Sequence, residues 1–392
     1  MNHWKMATLG DFVEPADTWN PAKAASDEVF DYIDLSAVDQ ETKLIRGAQK
    51  LVGAEAPSRA RQLVAKGDVL VSTVRPNLNG VARITEEFDG ATASTGFCVL
   101  RARSSVLDPG YLFHWVKSPI FVADMVRKAT GASYPAVSDR IIFESKLPLP
   151  PLVEQRRIAE LLDRAEALRA NRRGSISRLD TLPQSIFLDL FGDPATNPKE
   201  WQRAKLGDAV FSVSDGPHVS PTYSDDGIPF ISTRHVRESE ITWEDLKFIS
   251  REDAEIHWRK CKPEFGDVLY TKGGTTGLAV AVETNKPFAL WVHVALLKPN
   301  PTKVDSIWLE SMLNTRFCYR QSQELTHGIA NRDLGLTRMV KIDIFLPPLT
   351  LQQEFARRVV SLKKMRTTYR ASLDEMDVLF ASFQHRAFRG EL

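Results

Sequence analysis

The 392-residue chain contains little cysteine and no excess of charge of either sign. Its three cysteines, Cys98, Cys261 and Cys318, never occur in CxxC spacing, which argues against a structural zinc site or a disulfide framework. Their scarcity favours a reducing compartment. The 51 Lys and Arg residues nearly cancel the 50 Asp and Glu residues, so any basic surface must be local.

Long apolar runs and catalytic motifs are also missing. No stretch approaches the roughly 18 apolar residues of a membrane span, and residues 1–10 lack the apolar segment of a signal peptide, so we expect a cytoplasmic protein that does not contact a membrane. No phosphate-binding P-loop, HExxH zinc motif or dinucleotide-binding GxGxxG turn occurs, nor the NPPF-like tetrapeptide of adenine methyltransferases. These absences predict a chain that is not an enzyme and binds no metal or cofactor.

The strongest feature that is present is an internal repeat. Most of its matching residues are 197 positions apart, and the Gly-Asp-Val-Leu motif is 199 apart, so a loop absorbs the difference. The matches are Trp4 with Trp201, Leu9-Gly10-Asp11 with Leu206-Gly207-Asp208, Gly67-Asp68-Val69-Leu70 with Gly266-Asp267-Val268-Leu269, Leu149-Pro150-Pro151-Leu152 with Leu346-Pro347-Pro348-Leu349, Gln155 with Gln352, Ala159 with Ala356, and Phe191 with Phe388. A repeat of this length indicates a duplicated module.

A long helix is predicted after each Leu-Pro-Pro-Leu motif, because apolar residues then recur at alternating steps of three and four. The predicted seams are Ile158, Leu161, Ala165, Leu168, Arg172, Ser175, Leu179, Leu182 and Ile186, and Phe355, Arg358, Leu362, Met365, Tyr369, Ser372, Met376, Leu379 and Phe383. We expect the two helices to pair as an antiparallel coiled coil, with Pro183 kinking or stopping the first. The alternative, that each is an ordinary amphipathic helix packed on its own domain, stays open.

The part of each module before the long helix has a mixed pattern. Short β-rich runs bounded by Gly, Pro and Asp precede a segment of helical periodicity, at 110–128 in the first copy and 306–325 in the second. Each copy is therefore predicted to be an α+β domain.

Two loops in each domain concentrate hydrogen-bonding side chains of the kind that contact base edges and phosphates. One follows the Gly-Asp strand and the other precedes the long helix. The candidates are Thr73, Arg75, Asn77, Asn79, Ser133, Tyr134 and Ser138 in the first domain, and Arg234, Lys272, Thr275, Thr276, Asn331 and Arg332 in the second. The alternative for Arg75-Pro76-Asn77 is a solvated hairpin turn.

These motifs, together with the Glu154-Gln155-Arg156-Arg157-Ile158-Ala159 segment, resemble the specificity subunit of Type I restriction-modification enzymes over the whole chain. The resemblance implies two tandem target recognition domains at 1–150 and 194–346, each followed by a long helix that the family conserves, at 151–193 and 347–392. The second helix departs from the first, since Leu351-Gln352-Gln353-Glu354 shares only Gln352 with the matching segment.

The resemblance also implies a function and partners. The chain would bind double-stranded DNA at an asymmetric, bipartite site and position two methyltransferase (modification) subunits, with restriction subunits as further partners in a system that cleaves. S-adenosylmethionine, ATP and magnesium would then be bound by the partner subunits and not by this chain.

Two other functions stay open from the residues themselves. Asp139, Glu144 and Lys146 superficially resemble the acidic end of a metal-dependent nuclease site, although so short a pattern arises by chance in most chains. A coiled-coil adaptor that binds only protein is the other alternative, and it predicts no salt-dependent affinity for DNA.

Overall fold

A computed structural model describes residues 4–328 and 332–392, and it divides into two units. Unit 1 contains Met1–Arg173 and Ala371–Leu392, and unit 2 contains Gly174–Arg370. Each unit therefore includes a part of both long helices. Both units mix helices with several sheets, which confirms the predicted α+β class.

Unit 1 begins with short strands and ends in helices. Its strands β1 to β11 are Met6–Thr8, Val13–Glu14, Asp17–Thr18, Val29–Ile33, Gln49–Val52, Ala60–Leu63, Val69–Ser72, Val81–Arg83, Thr92–Ser94, Phe97–Ala102 and Lys146–Pro148. Its helices α1 to α4 are Pro21–Ala24, Pro109–Val116, Pro119–Lys128 and Asp139–Phe143, and the long helix α5, Leu152–Phe191, starts in this unit.

The central sheet of unit 1 has the order β2-β10-β7-β8 and is covered on both faces. Val69 and Val71 pack with α2, α3 and the start of α5, while Leu70 between them packs with the second sheet, β3-β6-β9-β4-β5. This alternation is the period-two pattern of a buried strand.

Unit 2 has a similar, though not identical, order of elements. Its strands β12 to β23 are Gln202–Lys205, Val210–Asp215, Tyr223–Ser224, Ile228–Ile231, Val236–Arg237, Glu240–Ile241, Lys247–Ile249, Val268–Thr271, Ala279–Ala281, Ala289–Leu290, Val294–Pro299 and Asp343–Leu346. Its helices α6 to α10 are Leu206–Ala209, Arg251–Trp258, Ser306–Leu313, Arg316–Leu325 and Leu336–Met339, and α11 is Leu349–Arg389. The sheet β13-β22-β19-β20 matches the central sheet of unit 1.

The Gly-Asp-Val-Leu motif builds the same turn and ion pair in both units. The Asp68 carboxylate accepts a hydrogen bond from the Ala65 amide at 2.8 Å and pairs with Arg101 on the neighbouring strand at 2.9 Å. In unit 2, Asp267 pairs with Lys298 at 2.9 Å. The motif recurs because a buried carboxylate closes the turn and is neutralised by a base at the repeat position.

Each long helix is fastened to its domain by a buried glutamine. The Gln155 Oε1 atom accepts from the Asp108 amide at 2.8 Å, and its Nε2 donates to the carbonyls of Val106 and Pro150 at 3.0 and 2.9 Å. Gln352 repeats all three bonds in unit 2, with Asp305, Lys303 and Pro347. We call this arrangement the glutamine latch. It explains why this residue coincides between helices that otherwise differ here.

Parts of the two long helices lie side by side within each unit. In unit 1, Arg169 of α5 pairs with Asp377 of α11 at 2.5 Å. In unit 2, Arg366 of α11 pairs with Asp180 of α5 at 3.2 Å. These pairs join matching repeat positions in reciprocal fashion. Pairing over the full length of both helices, as an antiparallel coiled coil, stays a prediction.

The second half of each helix enters the core of the domain made by the other copy. Phe388 near the end of α11 packs edge-on against Tyr111 and Trp115 of unit 1, with ring centroids 5.3 and 5.1 Å away. Phe191 at the end of α5 packs edge-on against Trp308 of unit 2, with ring centroids 6.2 Å apart. The repeated phenylalanines are therefore core residues.

The repeated tryptophans bond to these helix ends. The Trp4 indole donates to the Ala387 carbonyl at 3.1 Å, and the Trp201 indole donates to the Phe191 carbonyl at 2.9 Å. In each unit the start of a domain is thus tied to the end of a long helix.

The predicted seam is half right: Ile158, Leu179 and Phe355 are buried, whereas every second position lies one residue away from the buried face. Leu168 is 60% exposed, whereas Leu162 is 1% exposed, and Leu379 is 57% exposed beside the buried Phe380. The other predicted positions that prove exposed are Leu161, Leu182, Arg358, Met365 and Phe383. The buried face steps by four and then three, starting from Ile158 and Phe355. Because pairs such as Leu161-Leu162 are both apolar, periodicity alone could not show which residue of the pair faces the core.

Helix α5 continues through Pro183, so the proline does not stop it, while a kink at this position stays a prediction. Proline removes a backbone donor and crowds the carbonyl four residues earlier, and the helix continues because tertiary contacts lie on both sides of the site. Among the described residues, no helix is long and apolar enough to cross a membrane.

Replacing Gln155 or Gln352 with Ala should lower the free energy of unfolding by about 2–3 kcal/mol, because three buried backbone groups lose their partners. Urea denaturation of the full chain measures this loss. The control is Gln353→Ala at the exposed neighbouring position, which should change stability by less than about 0.5 kcal/mol. Equal effects at positions 352 and 353 would show that the latch does not hold the helix.

Candidate nucleic-acid interface

The two polar loops of the first domain lie against each other. We call residues 73–79 the strand loop and residues 130–138 the helix loop. The Arg75 amide donates to the Pro135 carbonyl at 2.7 Å, and the Val137 amide donates to the Thr73 carbonyl at 2.9 Å. A bridge between Val74 and Ala136 completes the contact. Candidates that are about 60 residues apart in sequence therefore form one surface.

The second domain builds the same contact from different residues. Its strand loop is 272–277 and its helix loop is 327–334. The Gly274 amide donates to the Arg332 carbonyl at 3.1 Å, the Leu334 amide donates to the Lys272 carbonyl at 2.8 Å, and Gly273 bridges Asp333. The backbone arrangement is conserved between the copies while the side chains differ.

Arg75 is the most prominent side chain of the first loop pair. Its φ of +49° is in the left-handed region, which any residue with a side chain adopts only at a cost. The guanidinium carbon lies 4.7 Å from the centroid of the Tyr134 ring, and Tyr134 itself is 68% exposed. The strand loop and helix loop thus present a planar cation stacked on an aromatic ring to solvent.

Gly274 takes the equivalent place in the second domain. Its φ of +69° matches the conformation of Arg75, and a Cβ added there would meet no atom within 4 Å. The second loop pair therefore has the same backbone bend without a side chain at its apex.

Lys272 and Thr276 do not face solvent, and their assignment as DNA contacts is corrected here. The Lys272 side chain is only 6% exposed, and its Nζ lies 3.0 Å from Asp333 and 3.4 Å from Asp215. The buried Thr276 hydroxyl oxygen is 3.2 Å from the Nε2 of Gln323. Lys272 instead forms an ion pair with Asp333, and this pair joins the strand loop to the helix loop. The sequence pattern could not show this, because the partner carboxylates come from distant segments.

The remaining candidates fall into two groups. Asn77, Ser133, Tyr134, Thr275 and Arg332 are exposed on the loops beside Arg75 or Gly274. Three others are engaged with the protein: the Thr73 hydroxyl donates to Gly96 O, the Asn79 amide donates to Lys117 O, and the Ser138 hydroxyl caps α4. Asn331 lies outside the described residues.

Arg234 lies on a separate segment, the 3-10 turn Thr233–His235. Its guanidinium donates to the carbonyl of Asp245 at 2.8 Å and to the His235 ring at 3.2 Å. These bonds fix the side chain against its own turn.

A third segment, not predicted from the sequence, borders the strand loop in each domain. The Thr73 amide donates to the Gly96 carbonyl and the Lys272 amide donates to the His293 carbonyl, both at 2.9 Å. Exposed Thr95 and His293 therefore border the strand loops. Their position in the sequence could have indicated this, because each lies just before a long buried strand. The start of that strand lies at the same edge of the sheet as the end of the antiparallel strand that leads into the strand loop.

Lys43 is a further basic group near the first strand loop. Its ammonium donates to the Asn79 carbonyl at 2.6 Å. Burial lowers its pKa to about 8, with the neighbouring Lys117 charge adding to the effect. Its ammonium is therefore more easily neutralised than that of a lysine fully exposed to water.

The residues of the nuclease alternative have separate partners. Glu144 pairs with Arg140 at 2.7 Å, while the Lys146 ammonium donates to the Thr8 hydroxyl at 2.8 Å. Asp139 lies beside the Cys98 thiol, and burial raises the pKa of its carboxyl. This arrangement does not gather the three groups around one reacting atom.

One group of side chains has the spacing of a metal site, namely His114, Asp163 and Glu166. The Lys117 ammonium already pairs with Glu166, and the His114 ring lies 2.9 Å from Asp163. The Lys117 ammonium therefore supplies the positive charge that a metal ion would otherwise bring. The position of the cluster between α2 and α5 indicates a role in packing.

Comparison with known proteins shows what the chain is similar to. The family model of the Type I restriction modification DNA specificity domain matches residues 1–179. The MjaVIII specificity subunit of Methanocaldococcus jannaschii is 22% identical, over 95% of this chain and 89% of that protein. The EcoKI specificity subunit of Escherichia coli is 23% identical, over 84% and 76%.

A solved structure concerned with complex assembly and conformational transition of the type I R-M system is also similar. It has 26% identity and a TM-score of 0.62, over 100% of this chain and 99% of that one. The chain is therefore similar over most of its length to the specificity subunits of Type I restriction-modification enzymes, as its resemblance predicted. This similarity supports DNA sequence recognition as its general function.

Replacing Lys272 with Met should lower the free energy of unfolding by on the order of 3 kcal/mol, because the buried Asp215 loses one of its two cationic partners. Thermal and urea unfolding of the full chain measure the effect. Thr275→Ala, at an exposed position three residues away, is the matched control. If the Met variant were as stable as that control, the ion pair would not support the loops.

Proposed function

We propose that the chain recognises two different half-sites in double-stranded DNA, one through each loop pair. The observation that carries the proposal is that the same loop contact is built twice from different side chains. A shared backbone frame with divergent side chains suits two domains that hold DNA in the same way and select different bases. The whole site would then be bipartite and asymmetric, with uncontacted bases between its halves.

The exposed side chains indicate which residues carry the recognition. Arg75, stacked on Tyr134, can present its guanidinium to the O6 and N7 atoms of guanine, and Asn77 can pair with adenine. In the second domain we assign the role to Thr275, Arg332 and the newly identified His293. Lys272 is left out because it is buried.

We further propose that two modification subunits dock on the long helices. Exposed apolar side chains support this, since solvated helices gain nothing from them. They include Leu161, Leu168, Leu379 and Phe383 in unit 1, and Leu182, Leu188, Val360 and Met365 in unit 2. These side chains include the predicted seam positions that proved to be exposed.

The chemistry would belong to the partners. S-adenosylmethionine and adenine methylation would be supplied by the modification subunits, and ATP and magnesium by restriction subunits where the system includes them. This chain would be a non-catalytic cytoplasmic subunit that positions them on DNA.

Co-expression with the neighbouring methyltransferase subunit tests the proposal. Mapping methylated adenines across the host genome should give one asymmetric bipartite motif that disappears when this chain is omitted. Arg75→Ala should then relax or lose one half of that motif, at a cost of about 1–3 kcal/mol in specific binding, and leave the other half unchanged.

Two results would contradict this assignment. Methylation that persists without the chain, together with no salt-dependent affinity for DNA, would favour an adaptor that binds only protein. Equal loss of specific and random DNA binding by the Arg75 variant would reduce Arg75 to a phosphate contact.

Docking on the helices is tested separately with Leu168→Asp. Because Leu168 is largely exposed, the variant should fold with a Tm within about 1 °C of the parent chain. Its co-purification with the modification subunit should fall at least tenfold. Phe211→Asp, another exposed apolar residue on a strand of unit 2, is the control and should co-purify normally. A Leu168 variant that binds normally would move the docking surface elsewhere.

A further inference from the structure

The contact between long helix and domain uses opposite charges in the two copies. Glu166 on α5 and Lys363 on α11 are at the same repeat position, 197 residues apart. Around them the repeat is otherwise preserved, with the glutamine latch at one end and the Phe191 and Phe388 contacts at the other. The charge of this one position is therefore reversed between the copies, while the contacts on either side of it are the same.

In unit 1 the helix supplies the acids and the domain supplies the bases. Glu166 pairs with Lys117, whose side chain is only 6% exposed. Three residues earlier on the same helix, Asp163 lies 2.9 Å from the His114 ring and 3.7 Å from Arg83. Burial lowers the pKa of the Lys117 ammonium, so its charged form depends on the helix carboxylate.

In unit 2 the helix supplies the base and the domain supplies the acids. The Lys363 ammonium lies 2.6 Å from Glu283 and 3.5 Å from Glu310, and the Glu310 side chain is fully buried. Burial raises the pKa of the Glu310 carboxyl, which is also fixed by the Ala281 amide at 2.7 Å. The next turn of the helix continues the pattern, since Arg366 pairs with Glu240 at 3.4 Å.

We propose that these inverted charges are a docking code that admits each recognition domain only to its own long helix. A domain of the second type placed on α5 would bring Glu310 to Glu166, and a domain of the first type on α11 would bring Lys117 to Lys363. Two like charges at a buried contact have neither water nor a counter-ion to stabilise them. The code concerns assembly of the subunit, and it holds whether or not the loops contact bases.

Charge reversal in the full chain tests the code. Glu166→Lys should lower the Tm by roughly 5–10 °C, as expected for a broken buried ion pair, and should raise hydrogen exchange in α2. The double variant Lys117→Glu with Glu166→Lys should recover at least half of that loss. Glu160→Lys, on the exposed face of the same helix, should change the Tm by about 1 °C or less.

Domain exchange provides the second measurement. In a chain where residues 198–347 replace residues 1–150, Glu310 of the inserted copy faces Glu166, and adding Glu166→Lys should raise the Tm by several degrees. The code is overturned if the double variant shows no recovery, or if the exchanged chain is equally stable with and without Glu166→Lys. Recovery in both experiments would establish that charge matches domain to helix.

Discussion

One buried carboxamide in each copy determines where the long helix leaves its domain. Each of Gln155 and Gln352 forms hydrogen bonds with two backbone segments at once. One segment precedes a helix of the domain, and the other is the Pro-Pro turn before the long helix. A helix start has unpaired amides and little packing of its own, so its direction would otherwise be poorly defined. The repeated phenylalanine near the end of each helix lies in a hydrophobic core.

The sequence predicted the architecture well because the repeat marks residues with defined contacts. Asp68, Gln155 and Phe388 form the same kind of contact as their counterparts, and Trp4 and Trp201 each bond to a backbone carbonyl near the end of a long helix. A residue that must satisfy a buried polar group or fill a core tolerates little substitution, so it remains visible after the rest has diverged. The pairing of strand loop with helix loop was not visible in this way, since backbone bonds make it.

The failures of prediction have physical causes of the same kind. Leu161 and Leu162 are both apolar, so periodicity alone could not say which faces the core. Lysine is a residue type that commonly contacts DNA, yet Lys272 is buried and pairs with two carboxylates that are distant in sequence. Pro183 does not end α5, because tertiary packing on both sides of it holds the helix. In each case the deciding contact came from residues far away in sequence, where pattern analysis has no information.

The left-handed bend shared by Arg75 and Gly274 bears on how this chain can change. The left-handed bend already exists in the second domain, where glycine adopts it without steric cost, and the space above Gly274 is open. A side chain gained there would carry the same backbone strain as Arg75 but would need no new loop, no insertion and no repacking. The second domain thus has a position at the apex of its loop pair that can take a side chain. If the loop pairs read DNA as proposed, a single codon change at Gly274 would alter the reading of one half-site and leave the other loop pair unchanged.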